Sequence, residues 1–340
     1  MNKLLEVKDL KTYFMLKNET VKAVDGVSFD VYEGETFGVV GESGCGKSQT
    51  CRSILKLIKE PGEIINGEII YKGKDIVPMN SKEMRNIRGS EISIIFQEPM
   101  TSLNPVLKIK KQIMEAYDNT NLSKAEKLEK SIELLRLVGI PSPEQRIEEY
   151  THQFSGGMRQ RAMIAIALAS SPKLLIADEP TTALDVTIQD QIMDLLNDLK
   201  EKLGMSMILV THDLAVVAQM CDRIAVMYAG MIVELTDTIE LFSNPRHPYT
   251  YELMKSLPSK ELKGKRLEPI AGAPPNLSNL PEGCPFYPRC RYAEKICTEI
   301  KPELKEVKAG HLARCHFPEK TILFKGTTKT PAEKGENNEK

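Results

Sequence analysis

Short, nearly unbroken apolar runs alternate with amphipathic stretches over the first 235 or so residues. The runs are Thr36–Val40, Ile92–Phe96, Leu174–Ala177, Met207–Val210 and Ile224–Met227, each rich in β-branched residues. Such runs predict strands buried on both faces, with helices between them, so the fold class is α/β around a mixed sheet core. Between the second and third runs, about residues 100–171, the strand pattern lapses and a helical subdomain is expected. Within it Ser123-Lys-Ala-Glu126 has the S-x-x-E form of a capping box. Leu128, Ile132 and Leu135 follow at helical spacing, and Gly139 is placed to end the helix.

The texture changes after Pro245, where prolines recur up to Pro288 and the chain becomes loop-rich. From Lys325 onward no large apolar residue occurs, which predicts a disordered tail. The expected organisation is therefore a domain over residues 1–240, a small extension over 241–324 and a tail over 325–340. There is no internal repeat.

Charge and composition narrow the class. Lys plus Arg number 46 against 47 Asp plus Glu, a formal net charge of −1, so a wholesale nucleic-acid-coating role is excluded. The longest apolar runs, such as Ala162–Ala169, fall short of the roughly 18–20 residues that span a bilayer. The start, MNKLLEVKDL, lacks the apolar core and cleavage site of a signal peptide, so a soluble intracellular protein is expected. Of seven cysteines, Cys284, Cys290, Cys297 and Cys315 crowd into the extension. In a reducing compartment such a cluster points to a metal or cofactor rather than to disulfides.

The sharpest motif is Gly41-Glu42-Ser43-Gly44-Cys45-Gly46-Lys47-Ser48, a match to G-x-x-x-x-G-K-[ST]. It follows the predicted strand Thr36–Val40 and opens a helix whose Cys51, Ile54, Leu55 and Ile58 form one apolar stripe. Glycines let backbone N–H groups turn inward around phosphate oxygens, and the helix start adds a favourable dipole. Lys47 suits the β- and γ-phosphates, and Ser48 can offer its hydroxyl to Mg²⁺. Leu174-Leu-Ile-Ala-Asp178-Glu179 supplies an apolar strand ending in two carboxylates. Such a strand delivers them to the carboxyl edge of a parallel sheet, where a phosphate loop also emerges. Asp178 suits Mg²⁺, and Glu179 suits polarising a water that attacks the γ-phosphate.

Further motifs occur in a fixed order, and with them the sequence resembles the nucleotide-binding subunit of ABC transporters. Gln97 in Ile94-Ile-Phe-Gln97 resembles the Q-loop glutamine, which implies contact with Mg²⁺ and coupling to a membrane partner. Phe154-Ser155-Gly156-Gly157-Met158 resembles the ABC signature, with Phe for the usual Leu and Met158 for the usual Gln. Ala183-Leu184-Asp185 resembles the D-loop, and His212 the switch histidine. Phe14 stands where such proteins stack an aromatic on adenine, with Tyr13 as its neighbour. The resemblance implies that ATP is held by Phe14 and by the loop from Gly41 to Gln49. It also implies catalysis by Glu179 and His212, and Mg²⁺ held by Ser48, Gln97 and Asp178. Ser155, Gly156 and Gly157 open a helical run with exposed N–H groups, and by resemblance they bind the γ-phosphate held by a second subunit.

The extension narrows the family. Asn244-Pro-Arg-His247-Pro248-Tyr249-Thr250, Ile270-Ala-Gly-Ala-Pro-Pro275 and Leu280-Pro-Glu-Gly-Cys284-Pro-Phe-Tyr-Pro-Arg-Cys290 resemble the C-terminal extension of dipeptide and oligopeptide importer ATPases, a group that includes nickel importers. That resemblance implies an ATP-driven import motor at the cytoplasmic face of the membrane. It implies a heterodimer with a related ATPase, two membrane permeases and an external solute-binding protein, and no nucleic acid. Soluble ABC ATPases of repair or translation carry a long coiled coil or two tandem cassettes, and neither is present. A stand-alone phosphotransferase would not need the signature or the switch histidine. For Cys284, Cys290, Cys297 and Cys315, spaced C-x₅-C-x₆-C-x₁₇-C, the proline-rich surroundings call for a cross-link. Packing as buried thiols is one alternative. Four thiolates suit Zn²⁺ too, but the usual C-x₂-C pair is missing, and four cysteines also satisfy a [4Fe–4S] cluster. The family resemblance favours the [4Fe–4S] cluster, with His311 and His316 as outside ligand candidates.

Overall fold

The computed structural model describes residues 2–98, 102–118, 120–182, 184–255 and 270–324. The expected tail, Ala183 of the D-loop motif, and Pro258 and Pro269 lie outside the described residues. The chain divides into two compact units, one built from residues 32–35 and 78–210, the other from 2–31, 36–77 and 211 onward.

In chain order the strands are β1 (Lys3–Met15), β2 (Thr20–Tyr32), β3 (Thr36–Val40), β4 (Gly62–Tyr71), β5 (Lys74–Asp75) and β6 (Ile92–Ile95). They continue as β7 (Leu174–Asp178), β8 (Ser206–Thr211), β9 (Arg223–Tyr228), β10 (Met231–Asp237), β11 (Lys305–Lys308) and β12 (His311–Ala313). Every predicted apolar run is a strand, with ends displaced by at most one residue.

In the unit of residues 78–210, β6, β7 and β8 pair in parallel, Ile92 opposite Leu174 and Leu174 opposite Ser206. β7 is buried throughout, as the unbroken apolar run requires. The helical subdomain holds the predicted helix, Lys124–Leu137, and both halves of its capping box form. Ser123 Oγ accepts from the Glu126 N–H at 3.3 Å, and the Glu126 carboxylate accepts from the Ser123 N–H at 2.7 Å. Gly139 ends it at φ +74°. Leu135 is buried, whereas Leu128 and Ile132 are half-buried.

The other unit carries two sheets. β2-β1-β4-β5 is a sheet in which long β1 and β4 run antiparallel, with an irregularity between Lys8 and Thr12. The second has the order β11-β12-β10-β9-β3, with β3 and β9 parallel and the β9–β10–β12–β11 pairs antiparallel. The extension thus adds β11 and β12 to the sheet edge beside β10, and Glu234 on β10 faces Ala313 on β12. Among the described residues no helix is long and apolar enough to cross a membrane.

Candidate functional site

β3 is buried end to end and runs into Gly41. The loop that follows can be made only with glycine at its tightest points. A Cβ on Gly41 would lie 2.3 Å from the Met227 carbonyl oxygen, and one on Gly46 2.2 Å from the Ala23 carbonyl oxygen. Gly46 also sits at φ +106°, in the left-handed region, as N-cap of the helix Lys47–Ile54. Backbone crowding therefore explains both glycines. Lys47 is 4% exposed, and its ammonium donates to the carbonyls of Gly41 at 2.8 Å and Glu42 at 3.0 Å. The cation is curled over its own loop. Ser43 and Gly44 are exposed at the loop tip, and Ser48 and Gln49 are half-buried on the first turn. Cys45 is buried, and burial pushes its thiol pKa up, so it packs rather than reacts.

The carboxylate half of the motif set lies in the other unit. β7 carries Asp178 to its end, 1% exposed. Glu179 follows at φ +48°, an uncommon conformation for a residue with a side chain, fixed by its N–H donating to the Val210 carbonyl at 2.9 Å. One carboxylate oxygen of Glu179 accepts from the Gln97 side-chain amide at 2.8 Å and from the Thr182 hydroxyl at 3.0 Å. Sequence reasoning put Gln97 and Glu179 in one site but missed Thr182, whose only clue was its position three residues past Glu179. These two donors fix the position of that carboxylate oxygen.

The signature forms a capped helix start. Ser155 caps the helix Gly156–Leu168, its hydroxyl accepting from the Met158 N–H at 3.3 Å. Met158 contributes its backbone N–H to this cap, so the unusual side chain leaves the arrangement intact. Phe154, in place of the usual leucine, is 2% exposed and packs inward. Ser155 and Gly156 are exposed. Asp185, of the D-loop motif, is the N-cap of Val186–Leu203 and is exposed, as is His212 just beyond β8.

Of the adenine candidates, Tyr13 donates its hydroxyl to Asp25 at 2.7 Å, and burial pushes its pKa up. Phe14 is half-buried opposite Gly62, with its ring 2.6 Å from where a Gly62 Cβ would stand. The glycine opens the face on which the ring lies.

In the extension, Cys284, Cys290, Cys297 and Cys315 all line one cavity, together with Phe286, Tyr287 and His316. Burial raises the thiol pKa of Cys284 to about 11 and of Cys315 to about 12, and raises that of Cys290 too. Among the described residues, however, no three His, Cys, Asp or Glu side chains are arranged to hold a metal ion. Neither Zn²⁺ nor a [4Fe–4S] cluster therefore meets a preformed set of ligands among the described residues, and both expectations lack that support. His311 is not a ligand candidate either: it is buried, with one ring nitrogen 2.8 Å from Glu234 and the other 3.4 Å from Glu240. Its place is in a hydrogen-bond network that ties β12 to β10.

A phosphate loop after a buried strand, an aimed carboxylate beside Gln97, and a capped Ser-Gly-Gly helix start together define an ABC-type ATPase. Residues 24–182 match the ABC transporter family, and residues 233–297 match the oligopeptide/dipeptide transporter C-terminal region. The chain belongs to this family of transport ATP-binding proteins. It is 52% identical over 317 residues to the oligopeptide transport ATP-binding protein OppD of Bacillus subtilis, covering 92% of this chain and 88% of that protein. It is 49% identical to the dipeptide transport ATP-binding protein DppD of the same organism (93% and 95% covered). It is 46% identical to OppD of Escherichia coli (94% and 95% covered). Among solved structures, it is similar to the ATP-binding cassette MJ0796 in a dimeric post-hydrolysis state bound to ADP and Pi. That likeness has a TM-score of 0.62 at 27% identity, over 69% of this chain and 98% of that one.

Proposed function

We propose that this ATPase powers the import of dipeptides or oligopeptides through membrane permeases that receive cargo from an external solute-binding protein. Residues 1–240 are the ATPase, with the helical subdomain at about 100–171, and 241–324 the importer-type extension. The observation that carries the reading is the conjunction of Glu179, aimed by Gln97 and Thr182, with the oligopeptide-type extension. The subunit works at the cytoplasmic face of the membrane, paired head to tail with a related ATPase. The Ser155-Gly156-Gly157 start, exposed at Ser155 and Gly156, then serves the γ-phosphate bound by the partner, and the N–H groups there are the donors an anion needs.

In each turnover Lys47 and the loop amides hold the phosphates, Phe14 stacks on the base, and Glu179 takes the proton of the attacking water. His212 orients the γ-phosphate from beyond β8. The hard oxygen donors Ser48 and Asp178, with Gln97, suit Mg²⁺, which neutralises phosphate charge when bound. Cys284, Cys290, Cys297 and Cys315 would hold a [4Fe–4S] cluster as a structural cross-link. The four thiols lining one cavity support this reading.

The test is reconstitution with the membrane permeases of a peptide importer. Peptide-stimulated ATP hydrolysis and uptake into vesicles are expected. Stimulation by a nickel complex and not by peptide would favour the nickel-importer reading of the same family. Full-rate hydrolysis by a strict monomer would overturn the composite-site reading.

A further inference from the structure

The phosphate loop is not held by its own sequence neighbourhood alone. Glu42, its second residue, has each of its polar groups engaged, and two partners come from the extension. Its carboxylate receives both guanidinium nitrogens of Arg289, at 2.7 and 2.9 Å, a bidentate fork across 247 residues of sequence. Its N–H donates to the Tyr249 hydroxyl at 2.8 Å. Its carbonyl accepts from Lys47, the buried cation of the loop. Arg289 is 4% exposed on its side chain and is itself fixed: its Nε donates to the Ala271 carbonyl at 2.9 Å, and its guanidinium lies over the rings of Tyr228 and Phe286. Tyr249 is fully buried.

We propose that Arg289 and Tyr249 are positioning residues through which the extension sets the geometry and charge of the phosphate loop, and with them the affinity for MgATP. The physical reason is twofold. A carboxylate one residue into a polyphosphate-binding loop repels its ligand unless its charge is matched, and Arg289 matches it in a geometry that lysine cannot reproduce. The Glu42 carbonyl that orients Lys47 lies in the same residue as the N–H that Tyr249 holds, so freeing either side lets the other drift. The turn that bears Arg289, Tyr287–Arg289, runs directly into Cys290, which lines the thiol cavity. This inference rests on nucleotide binding at the loop, which the unaltered chain and Lys47→Ala test separately.

The experiment measures equilibrium binding of MgATP to the full-length chain, and KM against kcat for ATP in the assembled complex. It uses Arg289→Met, Arg289→Lys, Tyr249→Phe, Glu42→Gln and the double variant Arg289→Met/Glu42→Gln. Arg289→Met should weaken MgATP binding roughly ten- to a hundredfold, the scale of a lost hydrogen bond to a charged group, and raise KM more than it lowers kcat. Arg289→Lys should recover part of the loss. The double variant should bind within a few-fold of Glu42→Gln, because the uncompensated carboxylate is gone. Should Arg289→Met not fold, Tyr249→Phe and Arg289→Lys carry the test, each with a several-fold weaker affinity at unchanged protein concentration. Unchanged MgATP affinity in folded Arg289→Met, or in both milder variants, overturns the proposal and leaves the contact a structural staple. Equal losses in Arg289→Met and the double variant overturn the charge argument.

Discussion

Replacing Glu179 by glutamine isolates what its carboxylate does. Glutamine has nearly the same shape, and its amide oxygen can go on accepting from Gln97 and Thr182, now at 2.8 and 3.0 Å from the carboxylate oxygen. The φ of +48° at this position strains both side chains alike, so neither the fold nor the ground-state placement should change. What disappears is basicity. A positioned general base contributes about 10²- to 10⁴-fold, which is about 2.7–5.5 kcal/mol of barrier. MgATP binding, followed with a fluorescent nucleotide, should stay within about threefold of the unaltered protein, since no group facing the phosphates of the loop is altered. Phosphate release by the assembled complex should fall at least about a hundredfold, and ATP should then trap the closed dimer. Thr182→Val sharpens the test by keeping the base and removing one of its two anchors. It should lower turnover by about tenfold, the scale of one hydrogen bond to a charged group, with little change in ATP affinity. Phosphate release near the unaltered rate in Glu179→Gln would refute the assignment of the base. An undiminished rate in Thr182→Val would refute the argument from aiming.

The other outcomes are sharper in kind than in size. Lys47→Ala should weaken nucleotide binding by at least about tenfold, since it removes the buried cation of the loop; titration with MgATP checks this. Gly46→Ala should abolish binding and lower the melting temperature, because the new Cβ would stand 2.2 Å from a backbone oxygen at φ +106°; scanning calorimetry and nucleotide titration report both. Ser155→Ala should cost about 1 kcal/mol of stability through loss of the helix cap, and on the proposed head-to-tail pairing it should also lower turnover in the complex. Anaerobically purified protein should be brown with broad absorption near about 400 nm, bleached by Cys290→Ser, whereas a colourless, metal-free and folded extension would restore simple packing of the thiols.

The features readable in advance were the local ones. The phosphate loop, the capping box at Ser123, the end at Gly139 and the five buried strands each depend on a few consecutive residues and on steric rules that act within one turn or one strand. The strand β1 was not foreseen, because its exposed and buried positions lose strict alternation where the register shifts near Lys8 to Thr12. The role of Thr182 was equally invisible, since a threonine three residues past an acid has many uses and only the turn of the chain at Glu179 brings its hydroxyl within 3.0 Å.

The deeper division follows from range. The order of motifs, read along the chain, was enough to determine the class of machine, because a phosphate loop is defined by backbone sterics written into adjacent glycines. The partners of Glu42 could not be read that way. Arg289 looks like one more surface arginine among prolines and cysteines, and Tyr249 like an ordinary helix residue. Only the tertiary structure, folding the extension onto the sheet edge at β10, carries a guanidinium across 247 positions to the one carboxylate in the loop. A charge pair at that separation leaves no periodicity and no motif, so its existence is decided by packing alone.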